Sequence, residues 1–267
     1  MRFLILFLSL LFFFQGSSQK VSEVINAEKA FARYAIEHNT KEAFLAFSDD
    51  SGLVFNKGKA ANAKSVWTAN AVPATKLFWR PSFAGLALSG ELGFTTGPWE
   101  AKKSERDTAL AVGEYTTIWH KNNAGEWKFL LDMGISYKGP QYNWGKVKKA
   151  KKGTRESIAE DALTIDKTFI YNYEKKGNAA FVNVLHADVW CNLQGLPPLK
   201  NRSQVLDNLE TIPKDLQFVP LNGGMAESRD FAYVYGTVKN GTTEENYLRI
   251  WQYTSDGWKL LVQVLKW

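Results

Sequence analysis

Cysteine and histidine are scarce in this chain of 267 residues. It contains one cysteine, Cys191, and three histidines that show neither HxH nor HxxxH spacing. A single cysteine excludes a disulfide scaffold and a cysteine-based zinc finger, and the histidine spacing argues against a dedicated metal site. The sequence also lacks a phosphate-binding glycine loop and a GxSxG nucleophile elbow. We therefore expect no metal and no cofactor.

Long hydrophobic runs are also lacking, apart from a short one at the N-terminus. Arg2 is followed by residues 3–14, all Phe, Leu or Ile except Ser9, and then by Gly16 and Ser18 as the small residues of a cleavage site. Such a run rises only about 18 Å as a helix, against a bilayer core of about 30 Å. The pattern is typical of a signal peptide over residues 1–18. We expect a secreted or periplasmic protein without a membrane span.

The excess of positive charge is concentrated in a single segment. The formal net charge is +6, and residues 146–155 hold six basic residues and no acidic one. The rest of the chain is near neutral, whereas a nucleic-acid-binding domain needs positive charge on its folded surface. We expect no nucleic-acid partner. The basic linker, residues 139–155, is expected to be solvated or to contact an acidic partner, a polysaccharide or a membrane surface.

Hydrophobic residues, by contrast, make up 45% of the chain and aromatic residues 14%, which is enough for two domain cores. The chain also repeats itself in a preserved order. The matching segments are Lys29–Phe31 with Lys167–Phe169, Tyr115–Trp119 with Tyr247–Trp251, and Trp127–Leu131 with Trp258–Val262. Several matches in series indicate a duplication.

Each half begins with helical periodicity and continues with strands. Apolar residues recur at helical spacing from Ser22 to about His38 and from Ile158 to Tyr173. Two shorter helices follow in each half, and then aromatic-rich runs separated by turn residues. This order predicts an α+β fold with domains over 20–138 and 156–267. Each domain is expected to pack about three N-terminal helices in a strongly bent antiparallel sheet.

Two stretches of the first half resemble a known family. Leu92–Trp99 (LGFTTGPW) and Ile118–Asp132 look like SnoaL-like members of the nuclear transport factor 2-like superfamily, and the second half matches more loosely. The resemblance implies two cone-shaped domains, in which the bent sheet wraps the first helix and leaves a pocket at its open end. It also implies a monomer whose fused cones pack sheet to sheet, like a pseudo-dimer. The superfamily includes isomerases, cyclases, hydrolases, dehydratases and non-catalytic binding proteins.

Aromatic residues are the main candidates for lining such pockets, although each of them can equally belong to the core. The candidate ligand-binding residues are Trp67, Trp79, Phe78, Trp99, Tyr115 and Asp50 in the first half, and Trp190, Phe218, Tyr233, Tyr247 and Gln263 in the second. Asp50 lies where isomerases of this family place a carboxylate, but its sequence context also fits an ordinary turn.

Asp132 and His120 are the candidate catalytic residues. Asp132 interrupts an apolar strand, so it is either a buried acid or base with a raised pKa, or a cap at the rim of the cone. Histidine titrates near neutral pH, but strand alternation puts His120 on the side of Ile118, opposite Tyr115. The sequence does not show which side is internal. The counterpart of Asp132 is Gln263, which cannot exchange a proton.

Three hypotheses about function follow. The leading one is a protein that binds a small, largely apolar molecule without catalysis. The alternatives are a small-molecule isomerase, cyclase or hydrolase that uses Asp132, and a protein-interaction module. No group of titratable residues recurs at equivalent positions of both halves. This favours ligand binding, or at most one catalytic site.

Overall fold

A computed structural model describes residues 20–139, 145–155 and 160–267. The predicted signal peptide lies outside the described residues, as does the predicted start of the first helix of the second half. No helix among the described residues is long and apolar enough to span a membrane.

The first half opens with helices and continues with strands, as predicted. Helix α1 starts and ends within one residue of the predicted bounds. The elements are α1 (Val21–Glu37), α2 (Thr40–Phe47), β1 (Ser48–Asn56), β2 (Lys59–Asn62), α3 (Ala63–Ala69), β3 (Lys76–Trp79), β4 (Phe83–Leu86), β5 (Leu92–Lys102), β6 (Ala111–Lys121) and β7 (Trp127–Tyr137).

The second half repeats this plan after a two-residue strand in the linker. Its second and third helices are short and are extended by single 3₁₀ turns. The elements are β8 (Lys148–Lys149), α4 (Ala162–Lys176), α5 (Phe181–Val184), β9 (Leu185–Leu193), α6 (Arg202–Asp207), β10 (Gln217–Met225), β11 (Phe231–Asn240), β12 (Thr243–Thr254) and β13 (Gly257–Leu265).

The two sheets share a topology. The first has the order β2-β1-β7-β6-β5-β4-β8, with β3 also paired to β5, and the second has the order β10-β11-β12-β13-β9. In each, the strand after the second helix pairs in parallel with the last long strand. A register shift falls after Ile118 in the first sheet and after Ile250 in the second, at equivalent points of the repeat. The predicted α+β fold of two helix-bearing sheets is therefore confirmed.

Each helix layer packs on the concave face of its own sheet. In α1 the residues Val24, Glu28, Phe31 and Ala35 are buried along one stripe of the helix. Their spacing of three or four residues is that of a helix face turned to a core. The equivalent stripe of α4 is built in the same way, so the first helix fills each sheet.

The outer faces of the two sheets pack against each other. One cluster of buried residues draws on both halves, including Ile118, Leu131 and Phe94 from the first and Ile250 and Phe231 from the second. The rings of Phe94 and Phe231 stack with their centroids 6.0 Å apart. The sheets thus pack face to face, and each sheet has one face for helices and one for the other sheet.

The described part of the basic linker binds to both halves. Strand β8 pairs with Phe83–Ala84 of the first sheet, and the Lys148 ammonium lies 2.9 Å from an Asp188 carboxylate oxygen of the second half. Further on, the Thr154 amide donates to the carbonyl of Tyr253. A Cβ at Gly153 would come within 2.8 Å of Asp230. This part of the linker therefore packs as a strap rather than running free in solvent.

Asn192 joins the two sheets through buried hydrogen bonds. Its amide donates to Thr96 Oγ1 at 2.9 Å and Thr116 Oγ1 at 3.1 Å in the first half, and its oxygen accepts from Trp190 Nε1.

Asn192→Ala leaves the buried indole N–H without its acceptor, so we expect the free energy of unfolding to fall by about 1–3 kcal/mol. Urea denaturation measures this change. The exposed Asn123→Ala is the control, with an expected change below about 0.5 kcal/mol; equal effects of both variants would contradict the role of Asn192.

Candidate functional site

The concave side of the first sheet contains a cavity of about 270 Å³ that opens to the surface. Its walls are mostly aromatic, with one carboxyl and one phenol. The lining residues are Phe31, Phe44, Phe55, Leu77, Trp79, Trp99, Tyr115, Asp132, Gly134 and Ser136. Because β-strand side chains alternate, Tyr115 and Thr117 of β6 share this face, and their register partners on β7 are Gly134 and Asp132. Gly134 carries no side chain and so leaves room beside the Trp99 indole.

Glu28 of helix α1 lies buried among donors from the sheet. Its carboxylate accepts from Trp79 Nε1 at 2.6 Å, from Trp119 Nε1 at 3.0 Å and from the Thr95 hydroxyl. Burial raises the pKa of Glu28, and these hydrogen bonds act in the opposite direction. The carboxyl ties the first helix to strands β3, β5 and β6, which fixes one wall of the cavity.

Asp132 presents a second carboxyl to the same cavity. Its Oδ2 accepts from Thr117 Oγ1 at 2.8 Å. Burial raises the pKa of Asp132 to about 7; the Thr117 hydrogen bond opposes this shift and the nearby Glu28 carboxyl adds to it. A carboxyl with this pKa exchanges its proton near neutral pH, which suits it for acid or base chemistry. Asp132 lies within β7 and lines the cavity, so it is a wall residue rather than a cap beyond the strand.

Tyr115 is the phenol of the cavity. Its side chain is buried, and its hydroxyl makes no hydrogen bond of ordinary geometry with any described residue. Burial raises the pKa of Tyr115 well above its usual value, and the carboxyls of Glu28 and Asp132 act in the same direction. The phenol therefore stays protonated and has a donor to offer to a bound molecule.

The second half also carries a buried acid on its first helix, and there described side chains contact it from several sides. Asp166 of α4 accepts from Trp251 Nε1 at 3.2 Å and from the Tyr247 hydroxyl at 2.7 Å. It also binds Arg249 Nη1, which lies 3.1 Å from both carboxylate oxygens, and Arg249 Nε donates to Gln263 at 3.0 Å. Arg249 and Asp166 are both fully buried.

Aromatic rings hold the Arg249 side chain in place. Its guanidinium carbon lies 4.4 Å from the ring centre of Phe169, 4.2 Å from that of Phe218 and 4.3 Å from that of Tyr247. Arg249 and Gln263 are register partners, as Thr117 and Asp132 are in the first sheet. The register positions that hold Thr117 and Asp132 beside the cavity in the first half therefore hold Arg249 and Gln263 in the second. There the Arg249 side chain occupies the interior.

His120 does not reach the cavity. It points away from the face that carries Tyr115 and Thr117, and its Nε2 lies 2.9 Å from Asp49 Oδ2. Partial burial would raise the pKa of Asp49, but hydrogen bonds from Ser51 and the contact with His120 outweigh it and hold that pKa below its usual value. The structure therefore does not bring the two candidate catalytic residues, Asp132 and His120, together.

The candidate ligand-binding residues fall into separate groups. Trp79, Trp99 and Tyr115 line the first cavity. Trp67 stacks on Phe44 with its ring centre 4.6 Å away and borders a shallow surface depression instead.

The remaining candidates lie away from the cavity. Asp50 is exposed and pairs with Lys64. Trp190 belongs to the buried cluster between the sheets, and the partly buried Tyr233 packs against this cluster. Tyr247 and Gln263 are the partners of the buried Asp166–Arg249 pair. The second pocket expected from these residues is therefore not formed by them.

Other chemistry finds little support. Within residues 20–139, 145–155 and 160–267, no group of three or more His, Cys, Asp or Glu side chains is arranged to hold a metal ion. Cys191 is buried, and burial raises the pKa of its thiol to about 12, so it is not a reactive thiolate at neutral pH.

Both halves thus place a first helix and two shorter helices in the concave face of a bent sheet. Solved structures that are similar to this chain cover 42–45% of it, about the length of one half. Among solved structures, similar ones are a nuclear transport factor 2-like protein of unknown function from Shewanella oneidensis (16% identity, TM-score 0.35, 42% of this chain and 96% of that chain) and a nuclear transport factor 2-like protein from Cytophaga hutchinsonii (17%, 0.35, 44% and 99%). A ketosteroid isomerase-like protein from Erwinia carotovora is also similar (16%, 0.35, 45% and 97%). No family model matches the sequence, and no curated protein matches it.

Sequence reasoning missed the acid on the first helix of each half. Glu28 follows Val24 by four residues and precedes Phe31 by three, which places it on the buried stripe. Asp166 holds the same place relative to Phe169. Glu28 and Asp166 directly precede the matching segments Lys29–Phe31 and Lys167–Phe169. An acid at the same buried position in both repeats was the available signal.

The raised pKa of Asp132 predicts a pH-dependent stability. In the unfolded chain this carboxyl ionises near pH 4, whereas in the folded protein it keeps its proton up to about pH 7. Unfolding then releases a proton, so the free energy of unfolding falls as pH rises from about 4 to 7, by up to about 4 kcal/mol. Asp132→Asn removes this penalty and is expected to be more stable than the wild type by about 2–4 kcal/mol at pH 8, and by less than about 1 kcal/mol at pH 4.

Urea denaturation at both pH values measures this difference. Asp107→Asn at an exposed position serves as the control and should leave stability unchanged at either pH. An equal effect of Asp132→Asn at pH 4 and pH 8 would show that the Asp132 carboxyl ionises normally.

Proposed function

We propose that the first half binds a small, largely apolar molecule in its cavity, and that this molecule presents a hydroxyl or carbonyl group to Asp132 and Tyr115. The observation that carries the proposal is the contrast between the halves. The same two register positions hold Thr117 and Asp132 beside a cavity in one half, and Arg249 and Gln263 in a filled interior in the other.

The lining of the cavity supports this ligand class. Aromatic rings give an apolar, rigid surface, and a few polar groups suffice to orient a ligand in such a site. A volume of about 270 Å³ is near the lower limit for small-molecule pockets and fits a ligand of one or two fused rings. Asp132 can accept or donate a hydrogen bond near neutral pH, and Tyr115 can donate one.

A second candidate function is acid–base catalysis on the bound molecule, as in the isomerase hypothesis. The pKa of about 7 at Asp132 favours it, because a general base works best when its pKa is close to the working pH. Asp132 would accept a proton from a carbon next to a carbonyl group, while Tyr115 donates a hydrogen bond to the carbonyl oxygen. His120 has no part in this step, since it faces away from the cavity.

We also propose that the protein works as an exported monomer. The N-terminal sequence pattern supports export to the periplasm or the exterior. The outer faces of the two sheets pack on each other, which leaves less of them for a second copy, although Val219 and Leu221 of β10 stay exposed. For the same reason an interaction module acting through these sheet faces is not favoured.

The repeat suggests a variant that fills the cavity. Thr117→Arg with Asp132→Gln copies the residues of the second half, and Glu28 replaces Asp166 as the partner of the new guanidinium. We expect 2-naphthol, a fused-ring probe with one hydroxyl, to bind the wild type and to bind this variant at least about tenfold more weakly. Fluorescence titration measures both affinities.

The control keeps the cavity open at the same positions. Thr117→Ser with Asp132→Asn adds no bulk at either position and should bind 2-naphthol within about threefold of the wild type. Unchanged binding by the filled variant, with its fold verified by circular dichroism, would mean that the probe does not enter the cavity.

Proton transfer can be tested separately with a ketone of similar size. We expect the wild type to accelerate exchange of the acidic C1 protons of 2-tetralone in D₂O, by about 10²-fold or more over its Asp132→Asn variant. The rate should rise with pH and level off above about pH 7, since the ionised carboxylate is the base. Proton NMR follows the exchange. Exchange at the same rate with both proteins would leave ligand binding as the function and exclude Asp132 as a base.

A further inference from the structure

A second concave site lies in the second half, where the linker strap meets the helices. It is a groove of about 600 Å³ between strap residues 151–154, the segment 182–187 around α5 and β9, the start of α6, and the turn between β12 and β13. We call it the basic groove. Its charged lining residues are Lys151, Lys152, Arg202, Lys259 and Asp256.

The cations of the basic groove are not neutralised by neighbouring acids. Arg202 donates to the carbonyl of Val182 at 2.8 Å, and Lys259 donates to the carbonyl of Asn183 at 2.9 Å. Lys151 and Lys152 are exposed. Within the part of the chain that the structure describes, none of these four side chains forms an ion pair. Two groove cations are therefore held in place by the backbone, and two are free to meet a ligand.

A buried histidine adds a directional donor. His186 is 7% exposed and lines the groove, and its Nδ1 accepts a hydrogen bond from the Asp188 amide at 2.9 Å. Burial lowers the pKa of His186, Asp188 acts in the opposite direction, and Lys151, Lys148 and Lys259 lower it further. The ring is therefore neutral at pH 7. With Nδ1 as acceptor, its proton is on Nε2, which can donate to an anion.

The first half differs from the second at this place. Ser48 and Leu185 begin the equivalent strands β1 and β9 and pair with equivalent residues of β7 and β13, so Asp49 is the counterpart of His186. Asp49 is an acid that contacts His120, and Lys128, the counterpart of Lys259, donates to the carbonyl of Ala46 at 3.0 Å. The strap lysines and His186 thus distinguish the basic groove from the equivalent place in the first half, whereas the lysine of the last strand is common to both halves.

We propose that the basic groove binds a small oxyanion that carries two or more negative charges, of the phosphate, sulfate or carboxylate class. Ammonium and guanidinium groups from three separate segments converge on one concavity, where a compact anion can contact several of them at once. The backbone contacts of Arg202 and Lys259 order these cations before a ligand arrives. The site is separate from the aromatic cavity of the first half, so each can be tested alone.

Calorimetric titration with inorganic pyrophosphate and with citrate, at constant ionic strength, tests the proposal. We expect saturable one-to-one binding of at least one of them, weakened about tenfold or more in Lys151→Gln/Lys152→Gln. Both lysines are exposed, so this variant should fold normally. The control Lys103→Gln/Lys138→Gln removes the same charge from exposed positions outside the groove and should bind like the wild type.

Each outcome has a defined meaning. Binding of pyrophosphate alone supports a phosphate-type ligand, and binding of citrate alone supports a polycarboxylate. Amide NMR shifts on titration should cluster around His186 and Arg202. Absence of saturable binding, equal weakening in both double variants, or binding only of a polymer such as heparin would overturn the proposal. None of these results bears on 2-naphthol binding in the first half.

Discussion

A buried carboxyl on the first helix holds each half of the molecule together. Removing an acid from water is costly unless donors surround it, and each half supplies them from its sheet. In the first half they come from Trp79, Thr95 and Trp119, and in the second Trp251 takes the place of Trp119. In the first half the donors sit on three strands, so Glu28 fixes the position of the helix against the sheet, whereas in the second half the donors to Asp166 all sit on β12. The inner surface of each half is built on this contact.

The same contact leads to a cavity in one half and a filled interior in the other. In the second half Arg249 neutralises the buried acid and occupies the space between Phe169, Phe218 and Tyr247. In the first half only neutral donors reach Glu28, so no side chain enters from β6 to occupy that space. The uncompensated acid also adds to the raised pKa of Asp132. The absence of a buried cation in the first half thus accompanies the open volume and the effect of Glu28 on Asp132, while burial remains the main cause of the raised pKa of Asp132.

The fold could be predicted from the sequence further than the site could. Repeated segments and periodicity were sufficient for two α+β halves, because those signals are local. Asp132 was singled out as a candidate because a lone acid in an apolar strand is visible in the sequence, and its side chain lines the cavity. His120 was also proposed, because alternation along a strand does not show which face is internal. Which face of the strand is internal depends on where α1 packs. Glu28 on the buried stripe of α1 is hydrogen-bonded by Trp119, so the side of β6 that carries Trp119 is the internal one.

The aromatic residues of the second half show why side-chain type alone was not enough. Trp190 and Tyr233 look like pocket residues, yet in β9 and β11 they belong to the face that packs on the first sheet. A sheet with two buried faces has apolar residues on both, so alternation carries no contrast between a pocket and an interface. Tyr247 was on the correct face, but an arginine two residues later fills the space beside it.

The pairing of the two sheets allows the interiors to differ. The outer faces of the two sheets are held together by apolar contacts and by the Asn192 hydrogen bonds. Residues on these faces are therefore constrained by both halves at once. The inner faces have no such shared constraint. A cavity with a protonated acid is a destabilising feature, whereas a packed aromatic interior around an ion pair leaves no such void. A duplicated chain can therefore keep the destabilising feature in one half while the other half and the joint interface stabilise the whole.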